Sequence, residues 1–181
     1  MEREIKLRFD NATTATAAVL ASGATLFKAR RLQQDALLDT ADGLLREARS
    51  ILRVRREPDG GFLTFKGPVQ PSTMKLREEI ETAIGDAGMM LSILESIGFR
   101  VWFRYEKLRE EFWYGDAIIA VDETPVGTFV EVEGSEAGVV RAVEALGREA
   151  TDYVLASYRT LYIEHQTRAG LPVGDMLFAH A

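Results

Sequence analysis

The sequence contains no cysteine and only two histidines among its 181 residues. Without cysteine the chain has neither disulfides nor thiolate chemistry, and we interpret His165 and His180, near the C-terminus, as solvated side chains. No uncharged run approaches the length of a membrane span. The charged first residues are unlike a secretory signal. These absences fit a cytoplasmic protein that makes no membrane contact.

The chain also lacks a surplus of basic residues. Its net charge is -6, which argues against nucleic acid as a partner because phosphate backbones require exposed cations. A small anion is still compatible with this charge, since a local pocket can be positive inside an acidic protein. Hydrophobic content of 46% and charged content of 28% are typical of a globular domain. We therefore expect one domain with a proper core.

Alternating apolar and polar residues predict strands along most of the chain. The clearest segments are 2–9, 51–56, 62–66, 73–81, 99–111, 117–122 and 128–133, and residues 25–39 read as extended with a turn around 33–35. Helices are predicted over 12–22, 42–49, 86–96, 135–146 and 151–163. About eight strands, mostly in hairpins, favour an α+β fold in which an antiparallel barrel carries its helices outside. We assign residues 1–166 to this domain and 167–181 to a mobile or partner-bound tail.

Six of the predicted strands have one apolar face and one charged face. The charged positions are Glu2, Glu4, Lys6 and Arg8; Arg53 and Arg55; Lys66; Arg77, Glu79 and Glu81; Lys107 and Arg109; and Glu131 and Glu133. If these faces point outward, they form an ordinary solvated surface. If helices cover the apolar faces instead, the charges line the barrel, where they need opposite charges, a ligand or a metal to compensate them.

The charges are also sorted by type. Carboxylates two residues apart, in the pairs 2/4 and 131/133, suit the hard cations Mg²⁺ and Mn²⁺. Cations two residues apart, in the pairs 53/55 and 107/109, suit phosphate oxygens. A carboxylate-held metal beside several cations is the arrangement that a polyphosphate requires.

The order of these motifs resembles the CYTH domain family, one group of the triphosphate tunnel metalloenzymes. The matching segments are Glu2-x-Glu4-x-Lys6, Leu52-Arg53-Val54-Arg55, Leu63-Thr64-Phe65-Lys66-Gly67, Arg77-x-Glu79, Lys107-x-Arg109, Asp122, Gly127, Phe129-Val130-Glu131-Val132-Glu133 and Ser157-Tyr158. The resemblance covers residues 1 to about 165. It departs from the family at Leu37-Leu38-Asp39-Thr40, where aromatic residues are common, and this argues against substrate stacking there.

The resemblance implies an eight-stranded tunnel that binds a triphosphate and Mg²⁺ or Mn²⁺. The implied metal ligands are Glu2, Glu4, Glu79, Glu131 and Glu133, and the implied phosphate-binding residues are Lys6, Arg53, Arg55, Lys66, Arg77, Lys107 and Arg109. The implied catalytic group is Glu2, Glu4, Lys6, Arg109 and Asp122.

The leading functional hypothesis is metal-dependent hydrolysis of a linear triphosphate, with inorganic tripolyphosphate slightly preferred. The alternatives are a class IV adenylyl cyclase, which forms cyclic AMP and pyrophosphate from ATP, and a non-catalytic module that binds triphosphate or polyphosphate. The expected partner is a small-molecule triphosphate, and assembly as a homodimer is left open.

Overall fold

The computed structural model describes residues 1–179, apart from the side chain of Glu2, so the assignments of Glu2 as a ligand and of His180 as solvated lie outside the described residues. Within this part of the chain the strands are β1 (Glu2–Phe9), β2 (Thr25–Thr40), β3 (Ile51–Glu57), β4 (Gly60–Lys66), β5 (Lys75–Arg77), β6 (Glu79–Ile84), β7 (Phe99–Tyr114), β8 (Ala117–Thr124) and β9 (Gly127–Gly134). The helices are α1 (Ala12–Ala21), α2 (Leu44–Glu47), α3 (Ala87–Ser96), α4 (Glu136–Ala145) and α5 (Tyr158–Ala169), with a 3₁₀ turn at Ala150–Asp152. No helix in the described residues is long and apolar enough to cross a bilayer.

The strands form one antiparallel sheet in the order β5-β1-β9-β8-β7-β2-β3-β4-β6. Its two edge strands, β5 and β6, are consecutive in the chain and are separated only by Glu78. The Gly67 amide donates to the Glu78 carbonyl oxygen at 3.0 Å across this point. The sheet is therefore a nearly closed barrel, as predicted, and it has nine strands rather than eight because the predicted strand 73–81 breaks at Glu78.

Helices cover the apolar outer face of the barrel. Ile5 and Leu7 of β1 are buried in a cluster with Val19 of α1 and Val139 of α4. Val54 of β3 is buried in a second cluster that includes residues of α3. Since side chains alternate along a strand, this outer packing turns the charged neighbours of these residues into the barrel, except Arg8, which is exposed near the end of β1. The solvated-surface alternative is wrong for β1 and β3.

Side-chain caps fix where most helices begin. Asn11, Asp86 and Ser135 accept hydrogen bonds from the amides of residues 14, 89 and 138, so α1, α3 and α4 begin close to the predicted positions. The prediction for the last helix was wrong. Residues 150–152 form only the 3₁₀ turn, and α5 begins after its own cap, Ser157, and extends to Ala169.

The predicted turn at residues 33–35 does not exist, because β2 is one continuous strand of 16 residues. Gln34 and Asp35 pair with β3 on one side and with β7 on the other. Ladder hydrogen bonds on both edges override the turn preference of these polar residues. Three register shifts, two before Arg31 and one at Leu37/Leu38, interrupt the pairing of this long strand with β7.

The segment predicted as a mobile or partner-bound tail contacts the barrel in the part that is described. Residues 167–169 complete α5, and the fully buried Met176 bridges to Tyr105. The Met176 amide donates to the Arg104 carbonyl at 3.0 Å, and the Glu106 amide donates to the Met176 carbonyl at 2.9 Å. The tail thus pairs with the half of β7 that lies before Leu108, where the pairing with β8 begins.

Candidate active site

One cavity of about 700 Å³ occupies the barrel interior. Eleven of the sequence-predicted site residues line it, namely Glu4, Lys6, Arg53, Arg55, Lys66, Arg77, Glu79, Lys107, Arg109, Glu131 and Glu133. Asp122 lies behind this lining and is fully buried. The strands that carry these residues are far apart in the chain, so barrel closure is what brings them together.

The cavity is strongly positive. Among the described residues that line it, twelve are lysine or arginine and six are glutamate. The whole chain has a net charge of -6. The protein therefore concentrates its cations inside the barrel, where low-dielectric walls strengthen their attraction for an anion.

Lys6 joins the carboxylates at the β1–β9 seam. Its Nζ atom lies 2.9 Å from Glu4 Oε1 and 2.7 Å from Glu131 Oε1, and Lys75 Nζ lies 3.1 Å from the same Glu4 oxygen. Burial alone would raise the pKa of Glu4, and Glu131 adds to that effect, but Lys6 and Lys75 together hold the pKa well below its usual range. The same contacts raise the pKa of Lys6 despite its burial. Both acids and the lysine are therefore charged at neutral pH.

Glu133 is in a different electrostatic position. It is the register partner of Glu4, and two acids directly opposite each other repel. Burial, and then the nearby Glu79 and Glu4, raise the pKa of Glu133 although Lys66 opposes them. The Glu133 side chain is nevertheless exposed to solvent, so water moderates both the effect of burial and the repulsion between the acids. An added cation would relieve it.

The acidic residues suit a divalent cation without forming a complete site by themselves. Among the described side chains, no three acids or histidines lie close enough together to hold a metal ion. The Lys6 ammonium instead lies between Glu4 and Glu131 and serves as the cation there. Carboxylate oxygens are the ligands that Mg²⁺ and Mn²⁺ prefer, and these residues therefore fit such an ion.

Asp122 holds two of the cations from behind. Its Oδ2 atom accepts hydrogen bonds from Lys107 Nζ at 2.9 Å and from the Tyr158 hydroxyl at 2.7 Å, and its Oδ1 atom accepts from Arg109 Nε at 2.7 Å. Arg109 also donates to Glu131. Burial, followed by repulsion from Arg109, lowers the pKa of Lys107 to about 8. Asp122 thus orients two of the basic groups of the cavity.

The sequence did not reveal the equivalent acid on the other wall, Asp35. Its Oδ1 accepts from Arg55 Nε at 2.9 Å and its Oδ2 accepts from Arg55 Nη2 at 3.2 Å, while Arg53 Nε lies 3.5 Å from Oδ1. The sequence predicts a turn around Asp35, so the period of two that marks one face of a strand does not identify this acid. Lys75 was also missed as a site residue, although its alternation with Arg77 places both on the same face of the predicted strand.

The remaining predicted residues form ion pairs along the same wall. Lys66 Nζ lies 2.7 Å from Glu79 Oε2, and Arg53 donates to Glu81 at 3.2 Å. Glu79 thus lies close to Lys66 and Arg53, and it is also near enough to Glu133 to raise the pKa of that acid. Arg53 Nε is buried, and although no described residue accepts a hydrogen bond from it, it lies 3.5 Å from Asp35 Oδ1.

The family model of the CYTH domain matches residues 1–167. A protein from Methanocaldococcus jannaschii with the name "Putative adenylate cyclase" is 32% identical over 136 residues, which are 75% of this chain and 77% of that protein. A solved structure from Pyrococcus horikoshii is 26% identical with a TM-score of 0.72, covering 91% of this chain and 99% of that one.

A Hippeastrum protein also has this barrel. It is called a "Putative adenylyl cyclase" with "a dominant triphosphatase activity", and it is 24% identical with a TM-score of 0.67, covering 96% of this chain and 98% of that one. At this identity the likeness shows the fold. Because the family model spans nearly the whole chain and the M. jannaschii relative supports it, this chain belongs to the CYTH domain family.

Proposed function

We propose that this protein hydrolyses a linear triphosphate with the help of Mg²⁺ or Mn²⁺, and that inorganic tripolyphosphate is its preferred substrate. Members of the CYTH family act as triphosphatases or adenylate cyclases and depend on divalent metals. The observation that carries the proposal is the surplus of cations over acids inside a barrel whose chain is acidic overall. Phosphates are the anions that such a lysine and arginine lining binds best.

We assign phosphate binding to Lys6, Arg53, Arg55, Lys66, Arg77, Lys107 and Arg109. All of them line the cavity, and they come from β1, β3, β4, β5 and β7, so they surround a bound anion instead of facing it from one side. Asp35 and Asp122 hold four of these cations in place before a substrate arrives. Such preorganised charge stabilises the negative oxygens of a transferring phosphoryl group.

The metal would be held by Glu4, Glu131 and Glu133, with Glu79 beside them and Glu2 added from the family resemblance. A divalent cation supplies charge neutralisation and an acidified water in this kind of chemistry. The Lys6 Nζ atom lies within 3 Å of carboxylate oxygens of both Glu4 and Glu131. When these two acids bind a metal cation instead, the Lys6 ammonium group can shift towards the phosphates. This exchange of partners would couple metal binding to substrate binding.

The decisive experiment is a substrate panel with purified protein and either metal. We expect phosphate release from tripolyphosphate, and a loss of at least about a hundredfold in kcat/KM for Arg109→Gln, since this guanidinium carries charge-assisted bonds in a buried site. Arg168→Gln, the same change at an exposed arginine outside the cavity, is the matched control and should keep wild-type rates. Metal-dependent binding without phosphate release would instead identify a non-catalytic triphosphate module.

An adenylyl cyclase is the second candidate, and one structural feature favours it. Phe27 lines the cavity, packs against Trp113 at a tilt of 44° with ring centroids 4.4 Å apart and is partly exposed, so a nucleobase could contact an aromatic ring there. In this reaction the ribose 3′-hydroxyl attacks the α-phosphate and pyrophosphate leaves. The same panel decides the matter, because cyclic AMP and pyrophosphate formed from ATP would establish the cyclase and free phosphate alone would exclude it.

A further inference from the structure

Besides residues of the barrel strands, residues in and next to α2 and α5 line the cavity, and we call this part of it the mouth. The arginines that line it there are Arg46 of α2, Arg49 just after α2 and Arg159 of α5, which we call the arginine rim. The serines on either side, Ser50 and Ser157, also line the cavity. None of the acids of α2 and α5 lies among the described lining residues, so this mouth is positive without local compensation from these helices.

Trp102 contacts two of the rim arginines, Arg46 and Arg159. The Arg46 Cζ atom lies 5.1 Å and the Arg159 Cζ atom 4.9 Å from the centroids of the Trp102 ring system. Cation–π contacts of this kind hold guanidinium groups near one another in spite of their repulsion. Because two guanidinium groups already cover Trp102, the ring is poorly placed to stack on a nucleobase. The rim therefore suits an anionic extension of the substrate better than an aromatic one.

The rim arginines differ in how far they are neutralised. Arg46 Nε donates to the buried Asp39 at 2.9 Å, which anchors this side chain. Within the described residues, no carboxylate lies within 4.0 Å of the guanidinium nitrogens of Arg49 or Arg159. Arg49 is also the single non-glycine residue with a positive φ in the described chain, at 55°. Such strained backbone concentrates at sites of function.

The residues that line the lumen adjoin the residues that line the rim. Leu37 is the register partner of Phe103 on β7 and of Arg53 on β3, and all three residues line the cavity. Trp102 is the chain neighbour of Phe103. The wall that holds the phosphate-binding Arg53 is thus continuous with the wall that holds the rim.

We propose that the arginine rim binds the phosphates beyond the third in linear polyphosphate, so that chains longer than tripolyphosphate are substrates. This inference rests on the proposed function, since it places the terminal three phosphates in the lumen. The seven lumen cations and a metal already match a triphosphate, and the three rim arginines exceed what that substrate requires. In the reaction, water forms a bond to the terminal phosphorus and the adjoining P–O bond breaks. Inorganic phosphate and a chain one unit shorter are released, and the proton of water passes to solvent.

The test uses the double variant Arg49→Gln with Arg159→Gln, and it leaves Arg46 in place because Asp39 anchors it. The matched control is Arg104→Gln with Arg168→Gln, which removes the same charge from exposed arginines outside the cavity. The kcat/KM of each protein is measured for tripolyphosphate and for linear polyphosphate of several tens of phosphates. Calorimetric titration of both compounds without metal gives a reading that does not depend on turnover.

We expect the rim variant to lose at least about tenfold in kcat/KM and affinity for long polyphosphate while tripolyphosphate values change less than about twofold. The control should match wild type for both compounds. Equal losses for both compounds, or no loss for either, would overturn the rim assignment. If wild type releases no phosphate yet its affinity for long polyphosphate depends on Arg49 and Arg159, the proposed hydrolysis fails and the rim stands. If the affinity for long polyphosphate is also unaffected by the rim substitutions, both the proposed hydrolysis and the rim assignment are wrong.

Discussion

At the scale of single residues, the cavity depends on buried acids that face away from the substrate. Asp35 and Asp122 each contact two of the cations proposed to bind phosphate, and both acids are almost completely buried. Without them, seven like charges around one small volume would repel one another and swing outward. They also hold the guanidinium planes in a fixed orientation, which is the part of the geometry that catalysis needs before the substrate binds.

The change Asp35→Asn should therefore destabilise the fold. Removing one partner of a buried ion pair typically costs about 3 to 5 kcal/mol, because the other charge stays buried and uncompensated. We expect a decrease of this size in the free energy of unfolding, measured by urea denaturation. Asp59→Asn in the exposed β3–β4 turn is the control and should change it by less than about 0.5 kcal/mol. A similar small change for Asp35→Asn would show that Arg53 and Arg55 do not depend on this acid.

The same variant should also make the free energy of unfolding depend less on pH in the acidic range. Burial raises the pKa of Asp35, but Arg55 and Arg53 outweigh it and hold the pKa below its usual range. A carboxyl with a depressed folded pKa contributes stability above its unfolded pKa of about 3.9, and that contribution is lost as the pH falls through the folded pKa. The difference between wild type and Asp35→Asn, measured by urea denaturation from pH 6 to pH 2, should shrink as the pH decreases. A constant difference would contradict the ion pair.

At the scale of elements, α5 and the segment after it close one part of the barrel together. Met176 packs with Phe103 and Tyr105 of β7 and with Tyr158 and Leu161 of α5. Its backbone pairs with β7 where β8 does not reach. An uncovered strand edge here would offer free amides and carbonyls to other chains.

Met176→Ala tests this closure. A buried methionine cut back to alanine usually costs about 2 to 5 kcal/mol, through lost transfer energy and the cavity left behind. Met89→Ala on the outer face of α3, where the side chain is 61% exposed, makes the same chemical change without a cavity. We expect thermal unfolding to show a large decrease in melting temperature for Met176→Ala and almost none for Met89→Ala. Equal melting temperatures would mean that the tail packs only loosely on β7.

Strands with a clean alternation of apolar and polar residues could be predicted from the sequence, and so could the starts of the capped helices α1, α3 and α4. The alternation in β1, β3 and β9 predicted six of the charged residues that line the cavity, because each of these strands has one helix-covered face. The polar run Gln33-Gln34-Asp35 reads locally as a turn, and only its two neighbouring strands make it a strand. Met176 has no periodic signal at all, since a single bridge to a distant strand determines its position.

At the scale of the whole molecule, the barrel has its apolar face outside under the helices and its charges inside. This arrangement is stable only because opposite charges are paired throughout the interior, as in Lys6–Glu131, Lys66–Glu79 and Arg109–Asp122. The acidic surplus lies elsewhere on the chain, while the lining has twice as many lysines and arginines as glutamates among the described residues.

The strand β1 has a structural role that a simple deletion would expose. It pairs with β5 on one edge and with β9 on the other, and Ile5 is buried among helix residues. Removing residues 1–6 deletes the pairing of Glu4 with Lys75 and with Glu133, so the barrel can no longer close there. We therefore expect this truncation to lose cooperative unfolding, followed by circular dichroism, as well as phosphate release.

The substitution Glu4→Gln separates this structural role from the chemical one. The glutamine keeps the strand and its backbone pairing and removes only the charge between Lys6 and Lys75. We expect a cooperative unfolding transition, because β1 still joins β5 to β9, together with a loss of at least about a hundredfold in metal-dependent phosphate release, because an oxygen donor to a divalent cation has lost its charge. A truncated chain that unfolds cooperatively would show that barrel closure does not need β1, and a fully active Glu4→Gln protein would remove Glu4 from the metal site.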